Sequence, residues 1–393
     1  MSTASSPSLV ASEIDSPHHS RTSSPSPTLS PPTSFILPDL VSHCNFPLTY
    51  HPAGDEQAAA SLAWMLSFVP HFTPKKVAAM NGLQAGELTA YCYHDCPPER
   101  LRVVDDFMNY LFHLDNISDG MMAKNTTQLA DWVMNAFEWP EKFQPTVNAD
   151  GEVVEEIAAV KLARDYWSRC IQQAKPGVQQ RFKSSMNMFF QAVEQQTNDR
   201  DGQVVPDLES YIDMRRDTSG CKPVFDLIEY ALGFELPEEV VDHPVIKALN
   251  QDANDLVTWS NDVFSYNVEQ ARGDTHNMIC IFMEHDGCTL QEAIDRVGGL
   301  CKQTIDAFVE NKARVPSFAH LGPEVDAWTT GYVQGLQDWI VGSLHWSFMT
   351  KRYFQEAGAE VKKTRFVKLL PIEEGRHKHI PPIYASAMVA ATA

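Results

Sequence analysis

Asn261-Asp262-Val263-Phe264-Ser265-Tyr266-Asn267-Val268-Glu269 lies inside a run, from about 245 to 270, whose apolar residues recur every three or four positions. On a helix, Asn261, Ser265 and Glu269 stand at i, i+4 and i+8 and rise on one face within about 80° of one another. An amide oxygen, a hydroxyl and a carboxylate stacked in this way offer an all-oxygen set to a hard divalent ion. Mg²⁺ suits such a partial set, because it keeps waters and takes its remaining ligands from phosphate. The same face also reads as a polar stripe turned to solvent, although Asn and Ser are poor interior helix residues without a purpose.

The same periodicity marks segments around 55–70, 98–122, 152–172, 177–197, 222–233, 289–311 and 325–354. Strand signals are few, with no regular alternation and no Asn-Gly hairpin between β-branched runs. Breaks are expected at Cys96-Pro97-Pro98, from Asn198 to Pro206, at Pro237 and at Gly298-Gly299. The expected architecture is one all-α domain of about ten helices spanning 36–370. Residues 1–35 are a Ser/Pro/Thr-rich leader too poor in apolar surface to join a core. Residues 371–393 are expected to form a flexible Pro- and His-containing tail.

Composition narrows the function. Lys plus Arg number 31 against 51 Asp plus Glu, for a net charge of −20 across 393 residues. Such a chain is a poor partner for nucleic acid or an anionic membrane, whose binding rests on clustered cations. An anionic substrate would have to be held through metal ions or a few placed arginines. The 8 cysteines form no CxxC pair and read as free thiols in a reducing compartment. No apolar stretch reaches membrane-spanning length, and no basic-then-apolar start suggests a secretory signal. The expected location is the cytoplasm.

Three further clusters carry chemistry. Leu114-Asp115-Asn116-Ile117-Ser118-Asp119 follows the apolar run Phe107 to Phe112, and Asp115 and Asp119 share a helix face. Two carboxylates beside an apolar stripe call for a cation, or they mark a helix end before Gly120. Arg352-Tyr353 follows an aromatic helix and offers a fork and a hydroxyl to phosphate oxygens. Arg215 precedes a break at Ser219-Gly220, where an arginine also suits an ordinary helix C-terminus.

Together, in order and spacing over about residues 40 to 360, these motifs resemble the class I terpene synthases of microbial type, and most of all the fungal sesquiterpene synthases. Asp115-Asn116-x-x-Asp119 matches the aspartate-rich metal motif, and Asn261, Ser265 and Glu269 match the second metal triad, with Gly273-Asp274-Thr275-His276-Asn277 continuing its signature. Arg352-Tyr353 matches the family's C-terminal pair. Arg215, 46 positions before Asn261, resembles the diphosphate-sensing arginine, with Thr218 as linker and Ser219 as effector. Two departures stand out. Asn116 occupies a position where many relatives carry a second Asp, and Val268 one where some carry Lys. The first leaves the metal load of its motif mainly on Asp115, with Asp119 a direct ligand or one step removed.

The resemblance implies a single helical bundle around an apolar cavity, with three Mg²⁺ ions at its mouth and farnesyl diphosphate as substrate. Arg215, Arg352 and Tyr353 would hold the diphosphate. Met108, Leu111 and Phe112, one to two turns before Asp115, would line one wall, and Trp346 and Phe348 the other. The expected reaction is ionisation and cyclisation to a sesquiterpene, by a monomer or homodimer. Alternatives are a cyclase for geranyl or geranylgeranyl diphosphate, and a non-catalytic helical binding protein of the same fold. A prenyl chain-elongating enzyme would carry two aspartate-rich motifs. A di-iron bundle would need paired Glu-x-x-His motifs, and only Glu374-x-x-His377 occurs.

Overall fold

The computed structural model describes residues 32–118, 123–145, 156–202 and 204–373. Each of the eight periodic segments carries a helix: Gly54–Phe68, Pro98–Ser118, Ala158–Cys170, Pro176–Gly202, Cys221–Leu232, Pro244–Arg272, Leu290–Ala313 and Val325–Trp346. The Pro244–Arg272 helix packs against Leu290–Ala313 on one side and Val325–Trp346 on another, which puts the Asn-Ser-Glu stretch in the middle of the bundle. All 8 cysteines are free and buried. Among the described residues no helix is long and apolar enough to cross a membrane.

Further helices have local signals that periodicity does not report. Pro74–Leu83 begins with Pro at its first turn and Thr73 as cap, accepting from Lys76 N. Asp207 caps Leu208–Thr218 through Ser210 N. Met278–Asp286 is capped by Asn277, and its first six residues are all buried, so it shows a continuous apolar run and no stripe.

Two expected breaks are corrected. Gly298-Gly299 lies inside the Leu290–Ala313 helix, which starts with a full Thr289–Glu292 capping box. Gly298 serves a close approach, because a Cβ there would collide with Pro38. The Pro176–Gly202 helix also runs on through Asn198. Conversely, the last long helix ends at Trp346, and a short one, Lys351–Phe354, starts anew under a Thr350 cap.

The ends of the domain also shift. Ser34–Ile36 pairs antiparallel with Phe366–Lys368, with Phe35 opposite Val367. Both of these point inward and are 3% exposed, whereas Ile36 and Phe366 face out, the alternation a strand requires. The leader therefore yields at least Ser34 and Phe35 to the fold, and the chain remains held as far as Glu373, whose N–H donates to Ala271 O. Removing residues 1–31 should leave the melting temperature and turnover unchanged. Extending the deletion through Leu37 takes away two buried apolar side chains, at a cost of about 3–6 kcal/mol. Calorimetry of the two truncations checks this, and equal melting temperatures would refute it.

Candidate active site

One face of the Pro98–Ser118 helix carries Met108, Leu111, Phe112 and Asp115 at spacings of three and four, and all four line a cavity of about 720 Å³. Asp115 stands at the polar rim, where Arg352 Nη2 donates to it at 3.1 Å. The Arg352 guanidinium also lies over the Phe112 ring, 5.5 Å from its centroid. Phe112 in turn sits 5.7 Å from Trp346, whose Nε1 donates to Gln84 O at 2.8 Å. With its N–H tied to the backbone, Trp346 contributes its ring to the cavity wall. Asn116 turns outward and bonds back to Phe112 O at 2.7 Å. Asp119 lies outside the described residues. Phe348 leaves the wall: beyond the helix end it packs on Phe264 at 4.9 Å.

The Pro244–Arg272 helix supplies the opposite rim. Asn261 and Glu269 line the cavity, and Ser265 is buried between them. Asn261 is gripped at both ends: Oδ1 accepts from Arg215 Nη2 at 2.8 Å, and Nδ2 donates to Tyr353 Oη at 2.6 Å. Glu269 accepts from Asn277 Nδ2 at 2.8 Å. Burial first, and then the negative fields of Asp274 and Asp262, push the Glu269 carboxyl up to about 8, with Asn277 and Ser265 pulling the other way. The Ser265 hydroxyl makes no well-formed hydrogen bond. A buried carboxyl, a buried hydroxyl left without a hydrogen-bond partner and an amide oxygen on one helix face form an all-oxygen set that fits a hard divalent cation.

Arg215 and Arg216 part company. Arg215 lines the cavity, and its Nε donates to Asp262 Oδ1 at 3.0 Å. Burial opposes its charge, but Asp262, Tyr211 and Glu269 outweigh burial and hold its pKa above the ordinary value. Arg216 instead makes a two-pronged pair with Asp255, at 2.8 Å for both prongs, away from the cavity wall. The chain then breaks. Gly220 has φ +70°, a left-handed conformation that favours glycine, and a Cβ there would sit 2.8 Å from Leu111 Cδ2, so that side chain would have to shift. Thr218 and Ser219 both reach the cavity, and the Ser219 hydroxyl accepts from Cys221 N at 3.0 Å, fixing the turn into the next helix.

Sequence reasoning passed over Asp262, which holds this corner together. It is 1% exposed and accepts from Arg215, from Tyr211 Oη at 2.6 Å and from Met278 N at 3.0 Å. Its signal was available, since it lies about 100° around the helix from Asn261 and a buried arginine needs a carboxylate. Deeper in, Leu88, Phe189, Val224, Val257 and Trp339 complete an apolar chamber. None of these five was foreseen, because each is one apolar residue among many on its own element. Charge is thus concentrated at one end of the cavity, and the other end holds aromatic and aliphatic surface.

Residues 106–307 match the family model described as terpene synthase family 2, C-terminal metal binding. An alpha-muurolene synthase of Coprinopsis cinerea is 63% identical over 341 residues, 87% of this chain and 79% of that protein. Sesquiterpene synthase Agr3 of Cyclocybe aegerita is 62% identical over 347 residues, 88% of this chain and 96% of that protein. Among solved structures, a germacradien-4-ol synthase from Streptomyces citricolor superposes with a TM-score of 0.65 at 22% identity, covering 81% of this chain and 99% of that one. At that identity the likeness speaks for the fold alone. Motifs, family model and long, high-identity relatives agree: the chain belongs to the terpene synthase family, among the class I fungal sesquiterpene synthases, enzymes that act as lyases on phosphate esters.

Proposed function

We propose that the chain ionises farnesyl diphosphate with Mg²⁺ and cyclises the resulting cation to a sesquiterpene, releasing diphosphate. The observation that carries this reading is a cavity with oxygen ligands and arginines at one end and apolar surface at the other. Asp115 on one rim and Asn261, Ser265 and Glu269 on the other would hold the metal, with three ions expected. No group of three or more His, Cys, Asp or Glu side chains suited to a metal occurs among the described residues. When bound, Mg²⁺ would neutralise the diphosphate as its charge develops.

The protein's own groups do the rest. Arg215, Arg352 and Tyr353 donate to the diphosphate oxygens, so the C–O bond breaks with its electron pair on the leaving group. For Arg215 this means releasing Asn261 Oδ1, which becomes free as a ligand in the same movement. Thr218, Ser219 and the fixed turn at Gly220 present the break in the helix to the reacting chain. Phe112 and Trp346 turn π faces toward the cation, and Met108 and Leu111 shape its folding while excluding water. Free, buried cysteines fit a cytoplasmic setting.

The test is incubation with the C10, C15 and C20 diphosphates and Mg²⁺, without isopentenyl diphosphate, followed by mass spectrometry of volatiles. Farnesyl diphosphate should give C15 hydrocarbon and free diphosphate, in keeping with the two sesquiterpene-forming relatives. Binding without turnover, or turnover of the C10 or C20 substrate alone, would overturn the assignment.

A further inference from the structure

The helix that carries the Asn-Ser-Glu set has a second face, and the two ends of the described chain are fastened to it. Asn267 is 4% exposed and stands outside the cavity wall. Its Nδ2 donates to Lys368 O at 3.0 Å, and its Oδ1 accepts from Leu370 N at 2.8 Å. One turn on, Gln270 Nε2 donates to Leu370 O at 2.9 Å, and Glu373 N donates to Ala271 O at 2.7 Å. The strap making these bonds is itself anchored. Phe366–Lys368 pairs with Ser34–Ile36, and Gln291 grips Ile36 from both sides, donating to its O at 3.0 Å and accepting from its N at 2.9 Å. Phe35 closes edge-on against Tyr266 at 5.9 Å.

This clasp lies behind the last two turns of the helix, the turns that bear Ser265 and Glu269 and lead into the cavity-lining residues Arg272 to His276. Helix ends fray, because their last carbonyls lack partners within the helix. Here the end follows at once, with Gly273 in the left-handed region at φ +72°. Asn is a poor interior helix residue, yet the Asn267 side chain couples both a donor and an acceptor to the backbone of the strap. Mg²⁺ accepts little departure from octahedral geometry, so a small shift of these turns shows up as lost metal affinity.

We propose that Asn267 is a positioning residue: through the 366–373 strap it sets the rotation and height of the last two turns, and hence the spacing of Ser265 and Glu269 against Asn261. This inference rests on the metal reading given above. It requires no contact between Asn267 and substrate or metal.

The test is a thermal-shift titration of the full chain with MgCl₂ at fixed inorganic pyrophosphate, in which the midpoint is read separately from the starting melting temperature. Asn267→Ala should raise the Mg²⁺ midpoint about tenfold, the scale of one or two lost hydrogen bonds. At saturating Mg²⁺ its KM for the prenyl diphosphate should stay within about twofold of the parent value. Leu370→Pro deletes the other partner's N–H at an exposed position of the strap, without touching the helix, and should raise the midpoint about threefold. If Asn267→Ala does not fold, Leu370→Pro alone decides. Parent-like midpoints in the variants, with or without a lower melting temperature, would show that the clasp serves only the fold. A parent protein that Mg²⁺ plus pyrophosphate fails to stabilise would instead tell against the metal site itself.

Discussion

Asp115→Ala should lower product formation by roughly three orders of magnitude or more, while the far-ultraviolet spectrum and melting temperature stay close to those of the parent. The two halves of this result have separate causes. The Asp115 side chain is 38% exposed at the end of its helix, and its contact with Arg352 is a partly solvated pair. Such pairs contribute about 0–1 kcal/mol, so the fold has little to lose. The site loses much more. Asn116, next in sequence, is an amide that points away and is engaged with Phe112 O, so the neighbouring position cannot stand in for the lost carboxylate. Deleting Asp115 also frees the Arg352 fork from the rim where it would meet the diphosphate. Asn116→Ala is the matched control and should keep turnover within a few-fold. Both variants are read by mass spectrometry of volatile products at ordinary Mg²⁺. Near-parental product from Asp115→Ala would remove the first motif from the metal site, and equal losses from both variants would point to damage at the helix end.

The contrast between Asp115 and Asn116 illustrates what could be read before any coordinates. Residues at helical spacing beside a charged one, such as Met108, Leu111 and Phe112 before Asp115, announce a shared face, and they share one in the structure. The eight amphipathic segments were legible for the same reason. Met278–Asp286 was not, since six consecutive buried residues, Met278 to Met283, leave no stripe to count. Gly298 misled because glycine signals a break and a close approach equally well, and only the position of Pro38 decides between them. Phe348 was lost through its backbone: the helix stops at Trp346, so extrapolating a helical register past that point has no physical basis. Long-range partners were the least visible. Nothing local ties Asn267 to Lys368, or Asp262 to Tyr211, because those bonds close loops of about a hundred and about fifty residues.

Asp262 and Asp255 also decide the second large effect, that of two neighbouring arginines. Arg215 and Arg216 are chemically identical and about 100° apart on one helix, so replacing each with Lys keeps the charge and removes only the fork. At Arg215 the fork reaches Asp262 with Nε and Asn261 with Nη2, inside the cavity wall. Lysine can meet Asp262 or reach toward the substrate, but it cannot do both. Turnover should therefore fall ten- to a hundredfold, the scale of one or two charge-assisted hydrogen bonds in the transition state, and the melting temperature should change little. At Arg216 the fork closes on both oxygens of Asp255, which is 4% exposed. Breaking one prong leaves a buried carboxylate oxygen short of a donor and costs about 1–3 kcal/mol of stability. The Arg216→Lys enzyme should therefore melt earlier but turn over within about threefold of the parent at a temperature where it is folded. Steady-state rates and melting curves on the two variants separate these outcomes. A crippled but stable Arg216→Lys enzyme would reverse the assignment, moving diphosphate recognition to Arg216 and the effector position from Ser219 to Gly220.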